Sequence, residues 1–284
     1  MIPKYMAGRI FDLCSQFKQL QGGTAACLGD QQPTFSAEWA SQAKQAWKNW
    51  KGITRIPDNG PLTTADSFFK LCGFKDYFSV DYNGSGTINH DFGKPIPTNL
   101  HESADFIYEG GVVEHIPNIY QAMSNVMIML KKGGIYAVLV PVNVFGDCLW
   151  ENYWNINPIV YTEFFGANGF ETIQCNIYAY WTWKLWAAGA VRRWAPECVV
   201  NAFKNKNAAD TVQTGGRGWI QNALNCDNPD ELVLLDPFDK KTQQRIFHTG
   251  LPPRSHVLYI GRKTRHIVPG SIIDSVPKNY PKSA

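Results

Sequence analysis

The sequence carries little net charge. Its 284 residues hold 27 Lys and Arg against 24 Asp and Glu, a formal +3. Nucleic-acid surfaces are usually built on a pronounced basic stripe, so no nucleic-acid partner is expected. Long hydrophobic runs are missing too. No stretch of about 18 apolar residues occurs, so no transmembrane helix is expected. The opening MIPKYMAGRIFDLCSQF lacks the apolar core of a signal peptide. Cysteines occur at 14, 27, 72, 148, 175, 198 and 226, with no Cys-x-x-Cys pair. An odd, scattered set argues against a disulfide framework or a zinc site, and points to reduced thiols in a cytoplasmic protein. His90, His101, His115, His248, His256 and His266 show no metal-ligand spacing, so no metal is expected. Neither a Gly-x-x-x-x-Gly-Lys-Ser/Thr phosphate loop nor a Gly-x-Ser-x-Gly nucleophile turn is present.

What the chain has in quantity is aromatic surface: 10 Trp, 12 Tyr and 16 Phe. Such side chains fill cores and line clefts. Residues 4–20 read as a helix, with Ile10, Leu13, Phe17 and Leu20 at helical spacing. TAACLGDQQ (24–32) reads as a short apolar strand ending in a polar turn. Residues 36–51 read as a helix with Trp39, Ala43, Ala46, Trp47 and Trp50 on one side. TTADSFFKLCGF (63–74) is a helix with a Thr cap at its start and Gly73 at its end. DYFSVDYNG (76–84) and TINHDFG (87–93) are the second and third strands.

The richest stretch runs from Ala104 to Phe170. ADFIYEG is a strand, and an amphipathic helix follows it. MLKKGG makes a tight turn into the strand GIYAVLVP, and NPIVYTEFFGANGF (157–170) is a further helix. This βαβ rhythm places a buried parallel sheet here. Ligands of open α/β sheets bind at the carboxyl ends of strands, so the loop bearing Glu109, Gly110, Gly111, Glu114 and His115 should line a site. ETIQCNIYAYWTW (171–183) and HVLYIGRKT (256–264) read as two more strands. The intervening 184–254 is too long for an ordinary connection and reads as a helical cap or lid.

EGGVVEHIPNIYQAMSNVMIMLKKGGIYAVLVPVN resembles the fourth and fifth strands of class I S-adenosylmethionine-dependent methyltransferases. Asp105 opens the strand, Glu114-His115 holds the "EH" place, and Lys132-Gly133-Gly134 stands for Pro-Gly-Gly. "LG-x-Q" after the first strand and "GG-x-x-EH" after the fourth resemble a subgroup found in bacterial glycan-assembly contexts. The resemblance covers roughly residues 20–180 and the strand near 256–263. It implies one α/β domain over 1–284, a doubly wound, mostly parallel, seven-stranded Rossmann-like sheet. Its last strand would be antiparallel, paired in a hairpin with the strand at 171–183. Insertions would fall at about 33–62 and, as the cap, at about 184–254. The cofactor it implies is S-adenosyl-L-methionine.

The family's pocket needs a backbone turn by the methionine part, an acid for the ribose hydroxyls and a polar partner for the adenine. A carboxylate suits a cis-diol because it accepts two hydrogen bonds. Asp81, followed by Tyr82, ends an apolar strand and is the candidate for the ribose; such an acid is also how ordinary strands meet solvent. Asp91 and Phe92 take the adenine position, where Asp before Phe-Gly is equally a turn former. Gly29, Asp30 and Gln31 stand in the glycine-rich first loop. Only one glycine remains there, and Cys27 replaces the usual acid. Asp81 lies 52 residues after Gly29, against about 20 in a compact dinucleotide-type half.

Glu109 and Gly110 should face the sulfonium or the acceptor channel. His115 is the candidate general base, because histidine titrates near neutral pH; a structural role beside the sheet is the alternative. The loop 143–157 carries Asn143, Asp147, Trp150, Glu151, Tyr153 and Trp154, faces and polar groups suited to a small or glycan-like acceptor. WTWKLWAAGAVRRWAPE (181–197) reads as a lid helix, with a dimer face or peripheral membrane contact as alternatives. The reading is methyl transfer to an acceptor oxygen. The rivals are a Rossmann-type enzyme using NAD or another nucleotide, and a non-catalytic scaffold whose first loop no longer binds cofactor.

Overall fold

A computed structural model describes residues 1–48, 56–141, 152–179, 233–249 and 255–272. Among the described residues, eight strands form one sheet: β1 Thr24–Leu28, β2 Asp76–Asp81, β3 Ile88–Asn89, β4 Ala104–Glu109, β5 Leu130–Pro141, β6 Phe170–Ala179, β7 Val233–Leu235 and β8 Ser255–Lys263. Their order is β3-β2-β1-β4-β5-β8-β6-β7. The first five are parallel, with Leu28 beside Val80 on one flank of β1 and beside Glu109 on the other. β8 runs antiparallel between β5 and β6. This is the doubly wound, mostly parallel sheet with an antiparallel final strand. It has one strand more than expected, because β7 adds an edge beyond β6.

Strand alternation divides the core into two layers. Cys27, Phe106, Tyr108, Ala137 and Leu258 face helices Lys4–Gln16, Ala37–Ala46 and Ala65–Cys72. Leu28, Ile107, Tyr136, Val138 and Tyr259 face the helix Ile119–Met129 and the segment 160–167. Burying both faces makes the central strands nearly continuous apolar runs.

Local chemistry sets the helix ends. The Ser36 hydroxyl accepts the Trp39 amide at 3.1 Å, and Thr64 accepts Ser67 at 3.2 Å. Asn118 accepts Gln121 at 3.2 Å. Each satisfies one of the amides a helix start leaves unpaired. The helix at Ala65–Cys72 stops at Gly73, whose φ is +107°.

Three local expectations change. Lys-Lys-Gly-Gly is not a separate turn: β5 already starts at Leu130, which pairs with Ala104. Lys131 anchors this entry through Asp105 at 2.7 Å, while Asp105 also accepts the Thr24 amide at 2.8 Å. The helix expected over 157–170 runs over residues 158–167 and is π-wound at Val160–Phe164 before the turn Phe165–Ala167. Within 184–254 the described residues form β7 and the helix Lys240–Thr249. Trp50, most of the residues proposed as a lid and the cluster 181–197 lie outside the described residues.

Candidate functional site

The strand order reverses between β1 and β4, and in open α/β sheets ligands bind at such a point, beyond the carboxyl ends of the strands. Here β1 delivers Gly29, Asp30 and Gln31, β2 delivers Asp81, and β4 delivers Glu109 and Gly110. Gly29 has φ +70°, and a Cβ there would lie 2.9 Å from Val112 Cγ2. Its amide donates to Val80 O at 2.8 Å, which turns the chain over the end of β2. Asp81 then receives the Asp30 amide on Oδ2 at 3.2 Å and the Asn83 amide on Oδ1 at 3.1 Å. It is half-buried, and each oxygen keeps capacity for a further donor. Tyr82 beside it is exposed.

Asp91 is exposed. It accepts the Gly93 amide at 2.9 Å and pairs with Lys94 at 3.3 Å. The Gly93 amide, aided by Lys94, holds its carboxyl below the usual range. Phe92 is buried in the second core layer, and its carbonyl accepts Asn125 Nδ2 at 2.8 Å. Cys27, at the place of the family's acid, is wholly buried on the opposite layer; burial pushes its thiol up to about 12.

Beyond β4 the chain places two acids inside the protein. Glu109 is fully buried and folds back on its own loop, accepting the amides of Gly111 at 3.1 Å, Val112 at 2.8 Å and Val113 at 3.4 Å. The Tyr136 hydroxyl donates to its other oxygen at 3.5 Å. Burial, reinforced by the charge of Glu114, pushes Glu109 up to about 8. Glu114 is also buried, is pushed by burial to about 7, and its Oε2 has no hydrogen-bond partner. Desolvation disfavours two charges here, so the pair retains a proton into the neutral range.

His115 ends the short helical turn Val113–His115, its ring about one-third exposed and its Nε2 3.9 Å from Glu114 Oε1. The segment after β5 docks on the same turn: Tyr153 and Trp154 amides donate to Glu114 O at 2.8 and 3.2 Å. Trp154 Nε1 donates to Ile116 O at 2.9 Å. Tyr153 is 66% exposed and Trp154 42%. Asn143, Asp147, Trp150 and Glu151 lie outside the described residues. The structure therefore gathers Gly29, Asp30 and Asp81 around one turn, and His115, Tyr153 and Trp154 around another.

Two participants were not legible. Tyr136 reads only as a core position of β5, yet its hydroxyl meets Glu109. Gln31 reads as a polar loop residue, yet it is buried against Gly110. A Cβ on Gly110 would lie 2.6 Å from Gln31 Oε1, 2.7 Å from Tyr108 OH and 2.9 Å from Met1 O.

No family model matches the chain, and no curated protein matches it. Among solved structures, phosphoethanolamine N-methyltransferase 2 of Haemonchus contortus is 12% identical with a TM-score of 0.40; the match covers 90% of this chain and 52% of that one. That protein was crystallised with phosphomonomethylethanolamine and S-adenosylhomocysteine. The YcgJ protein of Bacillus subtilis is 11% identical over 90% of this chain and 99% of its own, with a TM-score of 0.38. The [4+2]-cyclase SpnF is 12% identical over 91% and 82%, with a TM-score of 0.35. Likenesses this distant leave the function to be argued from the site.

The residues present fit the nucleoside end of S-adenosyl-L-methionine. Asp81 offers a carboxylate that can accept hydrogen bonds from both hydroxyls of a diol, held by the Asp30 amide of the Gly29 turn and by the Asn83 amide. At the Gly110 end, Gln31 and the Met1 backbone fill the space beside the strand. No group of three or more potential metal ligands occurs among the described residues. None of the described helices is long and apolar enough to cross a membrane.

Proposed function

We propose that this chain is an S-adenosyl-L-methionine-dependent methyltransferase acting on an oxygen of a small or glycan-like acceptor. The observation that carries it is the junction of Gly29, Asp30 and Asp81 at the carboxyl ends of adjacent parallel strands, beside the switch point. Asp81 holds the ribose hydroxyls, with Tyr82 beside them; Gly29 and Asp30 supply the turn; Asp91 and Phe92 flank the base; Glu109 and Gly110 end the strand next to the reacting end. When bound, the cofactor supplies an electrophilic methyl group. The chain's own work is to hold donor and acceptor in line and to exclude water.

His115 takes the acceptor's proton on a ring nitrogen. The Glu109–Glu114 pair sets the field behind it, and Glu109 fixes the loop by binding three of its amides. Tyr153 and Trp154, with Asn143 and Trp150, bind the acceptor. The buried free thiols Cys14, Cys27 and Cys72 suit a cytoplasmic setting.

Calorimetric titration with S-adenosylmethionine, S-adenosylhomocysteine and NAD tests this. Binding of either of the first two, without NAD, supports it; NAD binding alone transfers the site to a different cofactor class. The packing of Gln31 against Gly110 favours one second reading, a non-catalytic relative with a closed crevice. Such a protein would bind none of the three.

A further inference from the structure

The crevice between β1 and β4 is bridged by the first residues of the chain. Gln31 is almost wholly buried; its Nε2 donates to Leu28 O at 2.9 Å, and its Oε1 accepts the Met1 nitrogen. The same nitrogen reaches Gly110 O at 3.4 Å, and Tyr108 OH donates to Met1 O at 2.8 Å. Ile2, fully buried, donates to Gln32 O at 3.0 Å and accepts the Thr34 amide at 3.0 Å. One wall of this knot is the loop after β1 and the other is the end of β4, so Met1 ties the two sides of the switch point together. The Asp81 side is different: its carboxylate accepts the amides of Asp30 and Asn83, from the loops after β1 and β2.

A ligand anchored on Asp81 therefore meets unequal surroundings along its length. Its nucleoside end has a carboxylate waiting. Any tail that crosses Gly29 toward Gly110 meets Gln31 and Met1. We propose that Gln31 is a specificity-determining residue of this crevice: it admits a nucleoside without an amino-acid tail directly, and admits the methyl donor only when residues 1–3 are lifted from Gly110. This rests on the methyl-donor reading and adds a cost that the donor alone bears. A glycine at this position would leave the space open, whereas the Gln31 amide fills it and recruits Met1 as a cover. Ligand binding that must first open a closed state is weakened by the fraction of open molecules.

Calorimetry on wild type, Gln31→Ala and Tyr108→Phe, each with S-adenosylmethionine and with 5′-deoxy-5′-methylthioadenosine, tests the proposal. The second ligand keeps the nucleoside and lacks the amino-acid tail. Both variants should bind S-adenosylmethionine about tenfold tighter than wild type, the factor that one or two lost hydrogen bonds represent. Binding of the tailless nucleoside should stay the same in all three. Equal affinity of all three proteins for S-adenosylmethionine overturns the role of Gln31 and leaves the methyl-donor reading standing, as does equal tightening of both ligands. Failure of every protein to bind either ligand overturns the methyl-donor reading itself, and the proposal with it. Thermal melting verifies that each variant is folded; Tyr108→Phe retains the ring and carries the test if Gln31→Ala does not fold.

Discussion

Asp81 Oδ2 accepts the backbone amide of Asp30 at 3.2 Å, a bond spanning 51 residues of sequence. It joins the ends of β1 and β2 where a ligand would lie, and leaves the carboxylate half-exposed. Asp81→Ala is expected to weaken binding of S-adenosylhomocysteine by about 10- to 100-fold, because hydrogen bonds to a charged group contribute about 1.5–3 kcal/mol. Melting should fall only slightly. Titration calorimetry reads the first quantity and thermal denaturation the second; unchanged affinity would remove Asp81 from the site.

The Glu109–Glu114 pair makes stability depend on pH. Their folded values, about 8 and about 7, lie above the ordinary 4.5. Between 4.5 and those values the folded chain binds protons that the unfolded chain has lost. The contribution of the pair is therefore full below about 4.5, declines as pH rises, and is lost above about 8. Melting temperature should drop over this window. Glu114→Gln should flatten the drop and raise melting at pH 8 by about 2–4 °C per kcal/mol recovered. A variant that melts lower than wild type at pH 8 would contradict this.

Gly29 tolerates no side chain. A non-glycine residue in the left-handed region costs about 1–2 kcal/mol, and its Cβ would press on Val112 at 2.9 Å. Gly29→Ala should lower melting by several degrees and weaken cofactor binding together. Melting scans with and without S-adenosylhomocysteine separate the two; a variant as stable and as tight as wild type would refute the fit.

At the opposite end of the sheet, Lys263 is completely buried. It bonds to Glu102 at 3.2 Å and to the Leu130 carbonyl, and His266 Nδ1 lies 2.8 Å from the same carboxylate. Glu102→Ala leaves the ammonium without its counter-charge. Chemical denaturation should show a loss of about 1–2 kcal/mol, below that of a fully buried pair because the Glu102 side chain is 35% exposed and Lys263 keeps the Leu130 carbonyl. Cofactor affinity should not change, because Glu102 lies before β4 and the site follows it.

What the sequence revealed and what it concealed divide along physical lines. The helix at Ala65–Cys72 is legible because Thr64 and Gly73 are local signals, as is Ser36 at the start of its helix. The βαβ order is legible because parallel strands are apolar on both faces. The entry to β5 is not: Lys131 is held by Asp105, a residue 26 positions away. The three residues of β7 carry no periodicity, so nothing within a cap-length segment announces an edge strand. Asp81 and the Glu-His pair were marked by position, but the burial of Glu109 depends on Tyr136 and the folded loop. Gln31 reads in the sequence as an absence of glycine; only the fold shows what it fills.

The place of β8 also sets an order of events. Among the described residues it is the last strand of the sheet in sequence, and it sits between β5 and β6. Until residues 255–263 have been made, β5 and β6 each present an open edge, an invitation to pair with another chain. A ribosome-bound nascent chain ending before Ser255 should hold the parallel half of the sheet and wait for its keystone.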